Sequence, residues 1–162
     1  MYRADELAEF AVEEFRRGLD GLTGEEALFR PEKADGTRMN AISWSVQHIA
    51  DHWLNAARAA RGLPLEGHAP PSDGSPPDYA AALALLEQAT GDLGWIAKAS
   101  DEAMLRRWRS PGGESVAMFL ARAVQHTWFH IGEINAVRQL LGHSEISFFG
   151  DLAGRLDWMA RE

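Results

Sequence analysis

Two histidines four residues apart occupy the stretch His126-Thr127-Trp128-Phe129-His130-Ile131-Gly132-Glu133. On a helix they lie one turn apart on one face, about 6 Å between Cβ atoms, so both imidazoles can reach a single metal ion. A pair alone holds an ion poorly. A third ligand has to come from another element, and His48 and His52 are the candidates. Glu133, seven residues beyond His126, returns to nearly the same face and sets a carboxylate beside the pair. The zinc-protease pattern is absent, because it needs Glu directly after the first histidine as general base and Thr127 stands there. The plain competing reading is a set of hydrogen-bonded core histidines with no ion.

Composition narrows the chemistry. The 162 residues suit one domain, 1–162, with a full core, and they include no cysteine. Thiolate metal sites, disulfides and a thiol nucleophile are thereby excluded, and any thiol must arrive with a cofactor or substrate. The net charge is −8, with ten acids against five bases in residues 1–35. Such a balance opposes binding to nucleic acid, where affinity comes largely from Lys and Arg displacing counterions. The N-terminus lacks the pattern of a signal peptide, and no stretch approaches the roughly 18 apolar residues of a membrane span. The expectation is a cytoplasmic protein with a small-molecule substrate and no membrane or nucleic-acid partner.

Periodicity places the histidines on helices. A first helix is predicted over Asp5 to about Asp20, with Ala8, Val12, Phe15 and Leu19 on one face. Residues 28–39 read as a connection. Asn40 is the expected N-cap of a second helix running to about Arg61, which carries His48 and His52. Residues 64–77, rich in Pro, Gly and Ser, read as a surface loop that holds a solvated His68. Ser75-Pro76 predicts the start of a third helix with Tyr79, Leu83, Leu86, Thr90, Leu93 and Ala97 as its stripe. Asp101 is the expected cap of a short turn, and Arg106-Arg107-Trp108-Arg109 read as a solvated connection, with contact to an acidic ligand as the alternative. Ser115 opens the fourth helix, which ends at Gly142, and 147–160 predicts a short tail helix. These elements predict an all-α four-helix bundle, whose cofactor sites are built from inward side chains of different helices.

Projected at 100° per residue, His126 and His130 fall at the edge of the apolar sector of the fourth helix. On the second helix the projection favours His52 over His48, and a rotation of a few tens of degrees reverses that order. Trp128 and Phe129 lie off the stripe, suited to a dimer contact or to burial within their own bundle. Arg138 is read as a salt-bridge partner or as a donor to an anionic substrate group.

Trp44-x-x-x-His48-Ile49-Ala50-Asp51, followed by His126-x-x-x-His130-Ile131-Gly132-Glu133-Ile134-x-x-x-Arg138-x-x-Leu141-Gly142, resembles the DinB/YfiT-like family of metal-dependent enzymes. The similarity runs from the first helix to about Gly142. It implies a four-helix bundle with its own helix order, pairing as a homodimer, and a metal site made of His48, His126 and His130. It carries no role to Glu133, a position where members often have Gln. Relatives include thiol-dependent S-transferases and an isomerase, so kinship does not name the substrate.

Three neutral imidazoles suit zinc, nickel or ferrous iron and leave a coordination position open. The leading expectation is a thiol S-transferase using an external low-molecular-weight thiol, or a hydrolase, acting on a small electrophile. Glu133, Asp51 or His52 would then move a proton or orient a ligand, with Glu133 the catalytic candidate. The alternative is a noncatalytic dimeric bundle with a structural or vestigial site. Haem held between two histidines is a third possibility, and it predicts a Soret band.

Overall fold

Acids open and bases close the first helix, α1 (Ala4–Arg17): Asp5 and Glu6 lie in its first turn, Arg16 and Arg17 in its last, complementing the helix dipole. In the computed structural model, which describes residues 3–108 and 113–147, six more helices follow. They are α2 (Gly24–Leu28), α3 (Ile42–Ala60), α4 (Tyr79–Thr90), α5 (Trp95–Lys98), α6 (Asp101–Leu105) and α7 (Val116–Leu140). No strand occurs among the described residues; there are only two isolated bridges, Glu32 with Arg38 and Arg107 with Ser115. The all-α class is as expected. The predicted second, third and fourth helices are α3, α4 and α7.

α3 is the central element, packing on α4 on one side and on α7 on the other, while α1 packs on α7. Arg16 links α1 to α4, donating to Glu87 at 2.7 Å and Thr90 Oγ1 at 3.0 Å. Phe15, Val46, Ile49, Trp53 and Ile134 are all but fully buried where these helices meet. Inside this core Trp53 Nε1–H donates to Thr127 Oγ1 at 3.1 Å, and the Thr127 hydroxyl donates to the Ala123 carbonyl at 2.8 Å. That bond fixes α3 against α7 at the level of the histidines. Both polar groups are satisfied, as burial requires.

Several boundaries differ from the sequence reading, each for a local chemical reason. α3 starts one residue later than an Asn40 cap requires, with Ala41 as N-cap and no side-chain bond there. α4 is capped by Asp78, whose carboxylate accepts from Ala81 N–H at 2.8 Å, and not by Ser75. Ser75 is instead drawn into a turn, donating its N–H and hydroxyl to Asp73 Oδ1 at 2.9 and 2.6 Å. α4 also stops at Thr90, since Gly91 and Gly94 interrupt it and Asp92 accepts from Gly94 N–H at 2.9 Å. The stripe through Leu93 and Ala97 is therefore split between α4 and α5, although Leu93 remains buried. Ser100, not Asp101, caps α6. α2 was not expected, yet Thr23 and Glu26 form a capping box that its T-x-x-E spacing encodes.

The long helix follows the sequence closely. Ser115 Oγ accepts from Met118 N–H at 3.2 Å at the start of α7. At its end Gly142 adopts φ +92°, and His143 and Gly142 N–H groups bond the Arg138 and Gln139 carbonyls, each at 3.0 Å. This is the glycine-dependent left-handed stop. The tail helix expected over 147–160 lies, from residue 148 onward, outside the described residues, as do residues 109–112. No described helix is long and apolar enough to cross a membrane.

Candidate metal centre

α3 and α7 face each other across the Trp53–Thr127 bond, and the histidines of both helices meet beside it. His126 and His130 point their Nε2 atoms at each other, 3.1 Å apart. His48 comes in from α3, its ring centroid 4.8 Å from His126 and 5.2 Å from His130. One ring nitrogen from each of His48, His126 and His130 lies within 4.8 Å of the others. His130 is 3% exposed, whereas His48 and His126 are half-buried, so the group opens toward solvent on one side. His52 stays outside this group. Its ring contacts His48 and His126 at 4.8 and 4.6 Å, but its Nδ1 faces Arg122 Nη1 at 3.4 Å. Helix rotation thus brings His48 forward, against the preference of simple projection.

Neighbouring residues hold these rings in place. Trp44 stacks on His48 at 4.7 Å, and its indole N–H is tied to the Pro71 carbonyl at 2.8 Å. Glu133 Oε2 lies 2.6 Å from His130 Nδ1. The pair sits out of line for a well-directed hydrogen bond, and neither atom has another hydrogen-bond partner among the described residues. Proximity at three-residue spacing still sets a negative charge against Nδ1, which favours the proton there and leaves Nε2 with its lone pair.

Electrostatics disfavour the charged forms of His48, His52 and His126. Burial, followed by the nearby His130 and His126, pushes the His48 pKa down to about 4. His52 falls to about 3, chiefly by burial, with His48, His126 and Arg122 adding to it. Burial, then His130 and Arg122, also lowers His126. At neutral pH these imidazoles present lone pairs, not N–H cations.

The donor set fits a divalent ion. Two nitrogens bound to one tetrahedral zinc at about 2.0–2.1 Å stand ~3.3 Å apart, close to the His126–His130 separation. The same separation also accommodates an Nε2–H···Nε2 hydrogen bond when no ion is bound. His48, His126 and His130 are the residues that could hold such an ion.

Other expected site residues have different tasks. Asp51 accepts from Asn55 Nδ2 at 3.1 Å and from His68 N–H at 2.9 Å, so it anchors the 61–78 loop. His68 is not freely solvated, because its Nε2 lies 3.2 Å from Glu66. Among the described residues Arg138 makes neither a salt bridge nor an anion contact. It is 7% exposed and donates from Nη1 to the Gly18 and Asp20 carbonyls at 3.2 and 2.7 Å, covering the exit of α1. Trp128 packs on Phe10 at 5.6 Å, whereas Phe129 is 60% exposed. The role of Arg122, held by Glu114 next to His52, was missed; only its place one turn before His126 hinted at it.

No curated protein and no solved structure gives a significant match to this chain. The DinB superfamily is matched over residues 7–134, a span that runs from α1 through most of α7 and includes His48, His126 and His130. An all-α chain aligned over that span belongs to the DinB superfamily.

Proposed function

We propose that His48, His126 and His130 hold one zinc, nickel or ferrous ion and that the chain is a metal-dependent enzyme acting on a small electrophile. The convergence of three ring nitrogens within 4.8 Å, open to solvent on one side, carries this reading. With three protein ligands, a bound ion supplies an open position for Lewis-acid activation of water or of an external thiol. An external thiol is required for the transfer variant because the chain has no cysteine.

The protein's own part is positional. Trp44 and the Trp53–Thr127 bond fix where His48 meets α7. Glu133 acts through His130, as a positioning residue whose carboxylate lies against Nδ1 and favours the ring orientation that turns Nε2 inward. Thiol S-transfer and hydrolysis are the two activities in view. They separate in one assay: zinc-, nickel- or iron-loaded protein is offered epoxide, aryl halide and ester substrates with and without a low-molecular-weight thiol. Turnover above background that His126→Ala reduces at least a hundredfold is expected. Equal rates in the wild type and His126→Ala would remove the enzyme reading.

A further inference from the structure

A cavity of about 300 Å³ lies beside the three-histidine group, with the ring of His52 between them. Helix α3 supplies one wall and the start of α7 another, and the loop at Leu65 and Glu66 closes the outer side. This loop wall is prebuilt. Asn55 accepts from Glu66 N–H and donates to the Glu66 carbonyl, both at 2.9 Å, and Arg58 pairs with the Glu66 carboxylate at 2.6 Å. Asp51 is likewise occupied by the His68 N–H. The acids of the wall are thus already bonded to the protein.

Arg122 is different. Glu114 grips its Nε and Nη2 at 3.2 and 2.5 Å, and its guanidinium lies 4.6 Å from the centroid of the Phe119 ring. Among the described residues its Nη1 makes only the long 3.4 Å contact with His52 Nδ1. The fork is therefore fixed in direction with one donor group weakly used at the cavity wall. Phe119 is 3% exposed, with Arg122 over its ring and Trp108 stacked on it at 4.8 Å, so the half-buried Trp108 and the exposed Leu65 supply the apolar wall next to that donor. A guanidinium held beside aromatic rings is suited to a carboxylate attached to a planar apolar body. The volume is at the small end of ligand pockets and fits a molecule built on about one ring.

We propose that this cavity is an acid-binding subsite for the substrate. It takes a small aromatic or apolar carboxylate, with the carboxylate on Arg122, the body against Trp108 and Leu65, and the other end directed past His52 to the three histidines. The direction of the reactive end rests on the metal-enzyme reading; the binding itself does not.

The test titrates benzoate, and benzamide as its uncharged counterpart, into the full chain by NMR, metal-free and zinc-loaded, with zinc content measured on the same samples. Benzoate is expected to bind at least tenfold more tightly than benzamide in both states, shifting Phe119 and Leu65 signals. Arg122→Gln should remove that preference. Arg122→Lys, which keeps the charge, should retain part of it, so a variant that fails to fold does not decide the matter alone. Absence of saturable benzoate binding overturns the subsite, as does equal affinity for the two probes. Benzoate binding that needs zinc and survives in Arg122→Gln puts the carboxylate on the ion and also overturns it. Failure to bind zinc together with Arg122-dependent benzoate binding defeats the metal reading and leaves the subsite standing.

Discussion

We propose that Glu133 acts on the site through His130, without touching a substrate. Its carboxylate is 2.6 Å from His130 Nδ1, and His130 is almost fully buried. Removing such a partner from a metal-binding imidazole costs roughly 10–100-fold in metal affinity. Glu133→Ala should show that loss in a chelator competition, and unchanged affinity would mean that the carboxylate has no orienting role. The depressed histidine pKa values give a second expectation, for metal-free protein. His48 and His52 titrate near 6.5 when unfolded and at about 4 and 3 when folded. Between those values the unfolded chain binds more protons, so stability falls as pH drops from about 6.5 and recovers as pH rises. The urea midpoint should decline from pH 7 to 5, and more shallowly in a His48→Gln/His52→Gln variant; parallel declines would show that these rings do not titrate as the geometry implies. At this scale the sequence was partly legible. Spacing placed Glu133 beside the pair, and the motif of the second helix selected His48. A wheel drawn at 100° per residue could not, because the choice depends on how α3 is rotated against α7.

Between elements, one hydrogen bond registers the two helices that carry the histidines. Trp53 is fully buried and its indole N–H has Thr127 Oγ1 as partner. Thr127→Val keeps the shape and strands that donor, which costs roughly 1–3 kcal/mol. Chemical denaturation should show this loss together with weakened metal binding; a stability within a few tenths of the wild type would show that the bond does not matter. Arg138 marks where sequence reading stops. Its partners are carbonyls at the exit of α1, some 120 residues earlier in the chain, and no local pattern announces which helix end an arginine will cover. The cap at Ser115 was legible, whereas Asn40 does not cap α3 and Ser75 does not cap α4. Asp73 takes Ser75 into a turn and leaves Asp78 to start α4.

For the whole molecule, the all-α architecture could be read from periodicity because four long stretches with apolar residues at helical spacing dominate the chain. The short helices α2, α5 and α6 escaped because four or five residues hold less than two turns of pattern. We propose that the homodimer implied by the family resemblance forms through the face of α7 that carries Phe129, which is 60% exposed. Light scattering should give about twice the chain mass of 17.9 kDa, and Phe129→Glu should return the single-chain mass. A single-chain mass for the wild type would remove the dimer. The central claim is one metal ion on His48, His126 and His130, and metal analysis of protein purified without a histidine tag tests it most directly. About one equivalent of zinc, nickel or iron per chain is expected, lost in His126→Ala and kept in His68→Ala. Less than about a tenth of an equivalent, unchanged when these metals are added, or equal loss in both variants, would contradict it.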